Sequence, residues 1–205
     1  MIHESHYWKR PLVRTASWLE RLRVTDKTME RDLARFEREV FIGFYTIRKL
    51  FDTFKVSSCL RKQRLSLKSF AARENSHIDY FNWRNVDRHY DLDSPTNESR
   101  DVLFLCHQVV HSYVFIVVEK RNRHIDGFFL ASDRMRHDKL YFVSLADVAT
   151  LFRQVGKDYP NHGQFERDPK TEQWREVVVG TKGSKDSKPP CRKCSSRIWR
   201  GSLVT

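Results

Sequence analysis

The sequence has no long hydrophobic run. No stretch of about 18 apolar residues occurs in its 205 residues. The longest apolar segment, Tyr113 to Val118, has the length of a β-strand, so we expect no membrane-spanning helix. Residues 1–11 are polar and aromatic instead of forming a basic region followed by an apolar one, and this composition predicts no secretory signal and favours the cytoplasm.

Glycine and cysteine are also scarce. With seven glycines the chain contains no Gly-rich phosphate loop, no G-x-S-x-G elbow and no dinucleotide-binding fingerprint, so nucleotide-dependent enzymes are disfavoured and we expect no cofactor. Four cysteines in a chain of this length fit free thiols better than a disulfide framework. Cys191 and Cys194 have the spacing of half a zinc site, but no second pair of ligands lies nearby, so we predict no metal site.

Basic residues outnumber acidic ones, and they are unevenly distributed. The formal net charge is +12. Residues 55–78 hold six basic side chains against one acidic, residues 161–205 hold ten against five, and residues 79–111 hold three against six. Positive charge gathered in two segments is typical of a solvated basic surface, and it is also compatible with binding to nucleic acid, to a protein that handles nucleic acid or to an anionic membrane. The predicted nucleic-acid-binding residues are Arg61, Lys62, Arg64, Lys68 and Arg73 in the first segment, and Lys188, Arg192, Lys193, Arg197 and Arg200 in the last.

Apolar spacing predicts two helices in the N-terminal part of the chain. Residues 10–23 repeat apolar groups at helical intervals, with Pro11 in the first turn, where its missing N–H costs nothing. From Lys27 to Phe54 the apolar residues alternate steps of three and four, which predicts one long helix. Its stripe contains glycine and aromatic residues, so a coiled-coil dimer is the less favoured alternative. The members of the stripe are Leu33, Phe36, Val40, Gly43, Ile47, Leu50 and Phe54.

The middle of the chain indicates a buried helix followed by three strands. Leu65, Leu67 and Phe70 hint at a short strand before it. Helical spacing then predicts a mostly buried helix from Glu98 to about Ser112, capped by Thr96 or Asn97. Three β-rich segments follow and predict a three-stranded antiparallel meander, over residues 114–119, 127–132 and 140–145.

A last helix is predicted to close the fold. Ser144 and Asp147 have the arrangement of an N-cap, and Gly156 is expected to end the helix in a left-handed conformation. The predicted class is therefore α+β, in which long N-terminal helices pack with a buried helix, a three-stranded meander and the closing helix. Residues 1–160 are predicted to form a single domain, residues 161–179 a weakly structured extension, and residues 180–205 a basic disordered tail.

Arg100, His107 and His111 are the candidate catalytic residues. With Phe104 they fall four, three and four residues apart, which places them on one face of the predicted helix. The spacing of Arg100 and His107 resembles the Arg-x(4–6)-His motif of HEPN-domain ribonucleases, helical proteins of RNA cleavage and phage defence that need no metal. The resemblance implies that His107 transfers a proton, that Arg100 holds the scissile phosphate and that His111 supplies a second proton-transfer group.

Other interpretations of these residues stay open. Arg84 and His89 fit the same motif, so the motif alone does not choose between the two positions. The pair His107 and His111 also resembles the zinc-peptidase pattern His-Glu-x-x-His, but Gln108 replaces the catalytic glutamate, so peptidase chemistry is not expected. Both histidines are also compatible with a structural role, hydrogen-bonded inside the core.

Three functions follow from these patterns. The favoured one is a binding protein that associates with nucleic acid through the basic segments. The second is the metal-independent ribonuclease, and the third is an adaptor whose exposed aromatic side chains bind another protein. Four aromatic residues lie among the basic ones and fit either stacking on a single strand or the core: Phe70, Tyr80, Phe81 and Trp83. The oligomeric state cannot be inferred from the sequence.

Overall fold

The described part of the chain contains six helices and seven strands. The computed structural model describes residues 2–24, 29–120, 124–169 and 171–180. Within them lie the helices α1 (His6–Leu19), α2 (Met29–Asp52), α3 (Ser58–Arg61), α4 (Val86–His89), α5 (Val102–Val110) and α6 (Leu145–Lys157). The strands are β1 (Arg64–Ala71), β2 (Thr96–Asp101), β3 (Ser112–Glu119), β4 (Ile125–Ser132), β5 (Lys139–Ser144), β6 (His162–Arg167) and β7 (Trp174–Gly180). This mixture of helices and antiparallel strands confirms the α+β class.

The apolar stripe of α2 is the centre of the main hydrophobic core. Phe36, Val40, Ile47 and Leu50 are fully buried. Gly43 lies in the same stripe because the ring of Phe152 from α6 packs onto it, with ring atoms 2.2–2.3 Å from where a Cβ would lie. Burying this stripe removes the apolar face of a long helix from water, which is the main stabilising contribution of an amphipathic helix.

Helix α1 begins one turn earlier than the sequence indicated. Pro11 therefore lies inside the helix and not in its first turn. Proline has no N–H, so one intrahelical hydrogen bond is missing at that point. The same helix carries Lys9, a fully buried lysine whose Nζ donates hydrogen bonds to the carbonyl oxygens of Lys55 (2.6 Å) and Asp158. Burial lowers the pKa of Lys9 to about 8, and its ammonium group joins α1 to the segments that follow α2 and α6.

The sheet contains five strands, two more than the predicted three-stranded meander. Their order is β2-β1-β5-β4-β3, and every neighbouring pair is antiparallel. The short strand expected near residue 65 is β1, which lies beside β5. The edge strand β2 has no apolar alternation in its sequence, Thr-Asn-Glu-Ser-Arg-Asp, and for that reason it was not recognisable as a strand.

The predicted helix from Glu98 is wrong over its first four residues. Residues 96–101 form β2, and α5 starts at Val102. Asp101 is the N-cap: it has an extended backbone, and its Oδ1 accepts a hydrogen bond of 2.7 Å from the backbone N–H of Phe104. The caps expected at Thr96 and Asn97 are therefore wrong, because both residues pair with β1.

The two faces of the sheet have different surroundings. Leu67, Phe128 and Tyr141 point toward the helices and belong to the main core. Phe70, Val114 and Leu140 point the other way into a smaller cluster. The segment of residues 72–93, which connects β1 to β2, covers that cluster with Ile78 and Tyr90, both fully buried.

Helix α6 begins as predicted but ends differently. Ser144 is its N-cap and accepts a hydrogen bond of 3.1 Å from the backbone N–H of Asp147. The expected left-handed cap at Gly156 is wrong, since α6 continues to Lys157 and no described glycine has a positive φ. A Cβ at Gly156 would lie 2.6 Å from the side chain of Val13 and 2.9 Å from the carbonyl oxygen of Lys9. Glycine is therefore needed here for the close approach of α1 and α6.

The segment after α6 contains a separate two-stranded sheet. Strands β6 and β7 pair antiparallel, and the ring of Phe165 contacts that of Phe54 with 5.3 Å between centroids. The predicted basic tail lies almost wholly outside the described residues, since only Gly180 of residues 180–205 is described. Among the helices that the structure describes, none combines the length and apolarity that crossing a membrane requires.

Candidate functional site

Arg100 lies on strand β2, and this position separates it from the two histidines. Its guanidinium donates to Glu98 Oε2 through Nε (3.0 Å) and Nη2 (2.5 Å), and it contacts the hydroxyl of Tyr141 at 3.3 Å. The guanidinium carbon also lies 4.7 Å from the centre of the Phe104 ring. The shared helical face that the sequence indicated for Arg100 and His107 does not form, because Arg100 precedes the helix.

Glu98 is the centre of a polar network on the helix-facing side of the sheet. Its carboxylate accepts hydrogen bonds from Lys139 (2.6 Å) and Ser69 (2.9 Å) in addition to those from Arg100. Burial opposes ionisation of Glu98, but these hydrogen bonds outweigh it and lower the pKa of the carboxyl group to about 2. Glu98 is therefore ionised at neutral pH, and its carboxylate holds Arg100 in a structural network.

His107 and His111 line an open cleft at the C-terminal end of α5. We call it the histidine cleft; it has a volume of about 260 Å³ and is lined by His107, His111, Ser132, Asp133 and Arg134. The imidazole centroids are 4.6 Å apart. A structural role inside the core does not fit, because His107 is only partly buried and His111 is exposed.

The surroundings of the histidine cleft are electropositive. Burial lowers the pKa of His107, and the nearby His111, Arg48 and Arg134 lower it further. His107 is consequently a neutral imidazole near pH 7, able to accept a proton. A larger cavity of about 410 Å³ adjoins the cleft, shares His107, Ser132 and Arg134 with it, and extends to Asp101 and Phe104.

The second match to the motif has a structural role. His89 is buried, with its Nδ1 2.8 Å from the hydroxyl of Ser76 and its Nε2 3.2 Å from the carbonyl oxygen of Asn82. Both ring nitrogens are thus used to hold the covering segment of residues 72–93. Arg84 points elsewhere, with its guanidinium carbon 5.0 Å from the centre of the Trp83 ring.

The basic residues around β1 remain unneutralised. We call Lys62, Arg64, Lys68 and Arg73 the basic segment; all four are exposed. None of them takes part in the ion pairs found among the described residues. Arg64 contacts Ser99 with its Nε at 2.8 Å from the hydroxyl, and the Nε of Arg73 donates to the carbonyl oxygen of Tyr90 (3.1 Å). Arg61 lies before them with its guanidinium over the Phe54 and Phe51 rings.

A row of side chains crosses the second face of the sheet beside Lys68. Lys68 pairs with Phe142, Phe142 with Phe129, and Phe129 with Ile116. Residues paired directly across antiparallel strands point to the same face. The row is therefore a cation followed by two aromatic rings, which are 5.7 Å apart, and all three hydrophobic side chains are partly exposed.

Two aromatic side chains project from the covering segment. Residues 79–82 form a tight turn, in which Asp79 Oδ1 accepts hydrogen bonds from the backbone N–H groups of Phe81 (2.8 Å) and Asn82 (3.2 Å). Tyr80 is 77% exposed and Phe81 is 94% exposed. We call this element the aromatic turn. The core alternative is thus wrong for Tyr80 and Phe81, whereas Phe70 is buried and Trp83 is half-buried in the second cluster.

Sequence reasoning missed Arg134 and Ser132. Ser132 is the last residue of β4, and Arg134 lies in the turn that follows. Only the pairing of β3 with β4 brings them to the histidines, and no local pattern indicates it.

The predicted residues Lys188, Arg192, Lys193, Arg197 and Arg200, like Cys191 and Cys194, lie outside the described residues. Within the described ranges, no three His, Cys, Asp or Glu side chains come together as a metal site would require. Comparisons with protein-family models, with curated proteins and with solved structures give no significant match to this chain.

Proposed function

We propose that this protein binds single-stranded nucleic acid. The observation that carries the proposal is the set of exposed cations in the basic segment, none of which is paired with a carboxylate of the described residues. Glu98 lies on β2, the strand beside β1, but it points to the opposite face of the sheet from Lys68. It is also already ion-paired with Arg100 and Lys139. Cations that are not paired with a carboxylate keep their charge available to neutralise phosphates.

Exposed aromatic rings favour a single strand over a duplex. Phe142 and Phe129 follow Lys68 in the row on the second face, and Tyr80 and Phe81 project from the segment that covers the rest of that face. Unpaired bases stack on aromatic rings, and each stacked base contributes about 1–3 kcal/mol. Because hydrogen bonds to Asp79 hold the backbone of the aromatic turn in shape, that backbone needs little ordering when a base binds.

The cations are tested by binding measured at several salt concentrations. We expect the double variant Lys62→Gln and Lys68→Gln to bind a fluorescent single-stranded oligonucleotide more weakly, and to lower the slope of log K against log salt by about 1.4. The matched control is Arg31→Gln with Arg38→Gln, which removes the same charge from two arginines of α2 that are ion-paired with Asp32 and Glu39. Equal effects of the two double variants would mean that only net charge matters and would reject the basic segment as the site.

The aromatic turn is tested separately. We expect Phe81→Ser to weaken binding of the oligonucleotide by about fivefold or more, since it removes one stacking platform. Tyr45→Ser is the control, because Tyr45 is also an exposed aromatic residue but lies on α2. If Phe81→Ser leaves binding unchanged, the aromatic turn is assigned to a protein contact, as the adaptor hypothesis requires.

A second candidate function is metal-independent cleavage of RNA. It is favoured by one observation, that His107 and His111 both line an open cleft together with an arginine. Neutral His107 would accept the proton of a ribose 2′-hydroxyl while the 2′-oxygen forms a bond to phosphorus. His111 would donate a proton to the departing 5′-oxygen as the P–O5′ bond breaks.

This activity has a simple test. We expect the protein to cut single-stranded RNA in the presence of EDTA and to leave DNA of the same sequence intact, because DNA has no 2′-hydroxyl. His107→Ala and His111→Ala should each abolish cutting, whereas His77→Ala, an exposed histidine outside the cleft, should not. Cutting that persists in both cleft variants would reject the proposed ribonuclease site.

We propose the cytoplasm as the location of the protein. Cys106, which is buried in the core, is a free thiol. Free thiols persist in a reducing compartment.

A further inference from the structure

We propose that the histidine cleft is a phosphate-binding site in which Arg134, His107, His111 and the hydroxyl of Ser132 hold the oxygens of one phosphate group. Neither Arg134 nor Ser132 is marked by any sequence pattern. This inference rests on the proposed ribonuclease function. It changes one part of that proposal, because Arg134 and not Arg100 would bind the phosphate.

The hydroxyl of Ser132 is the first observation. Ser132 is 1% exposed, and its Oγ has no hydrogen-bond partner among the described residues. Ser132 is nevertheless one of the residues that line the histidine cleft. Its position is fixed, because the backbone N–H of Ser132 donates a hydrogen bond of 3.1 Å to Gln108 Oε1 on α5. A buried hydroxyl without a partner is rare in folded proteins, and a water or a bound ion often satisfies such a group.

Charge is the second observation. Arg134 is exposed, lines the cleft and takes part in none of the ion pairs found in the described ranges. Its neighbour Asp133 is instead paired with Arg136, with 2.7 Å between Nη1 and Oδ1. The cleft therefore keeps a free guanidinium even though a carboxylate lies beside it.

The remaining charged groups near the cleft leave it positive. Arg48 of α2 lies close enough to affect the ionisation of His107. Asp101 lines only the adjoining cavity, and its Oδ1 is occupied by the backbone N–H of Phe104. A site with a guanidinium, two imidazoles and a hydroxyl offers several hydrogen-bond donors around one point, which complements a group with several anionic oxygens.

Phosphate is the ligand class that fits these donors best. Arginine binds phosphate in a bidentate manner, and imidazolium and hydroxyl groups donate to the remaining oxygens. Cations are disfavoured because the only carboxylate of the histidine cleft, Asp133, is ion-paired. Both inorganic phosphate and the phosphodiester of an RNA strand carry such oxygens, so the experiment compares the two sources.

Nuclear magnetic resonance of the histidine side chains tests the site without measuring activity. We expect addition of inorganic phosphate to shift the ring signals of His107 and His111 and to raise the pKa of His107, because a bound anion favours imidazolium. Sodium chloride at equal ionic strength should leave both signals unchanged. Absence of a specific response to phosphate, or an equal response to chloride, would overturn the proposal.

Variants then identify the groups that hold the phosphate. Arg134→Gln should weaken phosphate binding about tenfold or more, Arg134→Lys less, and Ser132→Ala severalfold. Arg100→Gln is the control and should bind phosphate as the unchanged protein does, with circular dichroism used to verify its fold. A loss in Arg100→Gln together with full binding in Arg134→Gln would overturn the assignment.

The source of the phosphate is distinguished with a dinucleoside monophosphate and its 2′-deoxy form. If both bind with the dependence on Arg134 and neither is cleaved, the phosphate site stands and the ribonuclease proposal fails. If the ribose form is cleaved and Arg134→Gln abolishes cleavage, both stand. If cleavage survives in Arg134→Gln but not in Arg100→Gln, the phosphate site is rejected and the role of Arg100 is restored.

Discussion

At the scale of single residues, Glu98 links strands β1, β2 and β5 through hydrogen bonds with Ser69, Arg100 and Lys139. It forms ion pairs with both Arg100 and Lys139 on the side of the sheet that faces the helices. The pKa of Glu98 falls from the ordinary value of 4.5 to about 2. A carboxyl group whose pKa is depressed by folding stabilises the fold above its unfolded pKa, and that stability is lost as the pH falls toward the folded pKa.

Glu98→Gln should therefore lower the free energy of unfolding at neutral pH, by about 1 kcal/mol after allowing for solvent screening of a partly exposed group. The difference between the two proteins should shrink between about pH 4.5 and about pH 2, where the wild-type carboxylate becomes protonated. Urea denaturation at a series of pH values measures both effects. Glu20→Gln breaks the more exposed pair with Arg153 and should cost less. An equal cost would contradict the importance of the polar network around Glu98.

At the scale of elements, the junction of β2 and α5 decides which residues meet. Asp101 ends the strand and caps the helix at the same time. The strand residues 96–101 satisfy their backbone groups by pairing with β1, so they do not extend the helix. Arg100 is consequently held beside Glu98, while the helix begins late enough for His107 and His111 to reach the cleft at its end.

Replacement of the cap tests this boundary. Asp101→Ala should destabilise the protein by about 1 kcal/mol, because the backbone N–H of Phe104 loses its acceptor. Asn97→Ala should have little effect, since Asn97 is exposed and lies on β2. Thermal unfolding of the two variants provides the comparison. Larger destabilisation by Asn97→Ala would place the start of the helix at the position expected from the sequence.

The contact between α1 and α6 gives a second prediction for an element. Gly156→Ala should destabilise the protein by about 1–3 kcal/mol, because a methyl group would overlap Val13 and the backbone of Lys9. Alanine usually stabilises a helix relative to glycine by about 1 kcal/mol, so the predicted sign is opposite to the intrinsic propensity. Thr150→Ala, at an exposed position of the same helix, is the control and should be neutral or stabilising. A stabilised Gly156→Ala variant would show that the two helices are not closely packed.

At the scale of the whole molecule, positive charge has two sources. The basic segment belongs to the folded part of the chain, whereas residues 181–205 contribute seven basic residues against one acidic. A folded site fixes where a strand binds, and additional cations attract the strand over a longer range. The two sources therefore affect different measured quantities.

Deletion of residues 181–205 should lower affinity for single-stranded nucleic acid and reduce the salt slope, while the effect of Phe81→Ser stays the same size in the shortened protein. Anisotropy titrations of the full and shortened chains, each with and without Phe81→Ser, form a double-variant cycle. A shortened protein in which Phe81→Ser no longer matters would indicate that the tail and the aromatic turn act on the same part of the ligand.

The fold class and the core positions of α2 could be predicted from local periodicity. Helical spacing identified Phe36, Val40, Ile47 and Leu50 as buried, because residues on one helical face share one environment. Strand β2 could not be predicted in this way, since its residues are polar throughout and its partner β1 lies about 30 residues away along the chain. The shared helical face expected for Arg100 and His107 does not form for the same reason, because that expectation extended the helix through residues that pair as a strand.

The sequence by itself determined the α+β class, the amphipathic stripe of the long helix and the concentration of positive charge, because these depend on composition and on spacing between near neighbours. Only the tertiary structure decided that Arg134 and Ser132, rather than Arg100, accompany His107 and His111. It also decided that Tyr80 and Phe81 are exposed and that Gly156 serves close packing. These features depend on which distant segments pack together, and no periodic pattern within one segment encodes that choice.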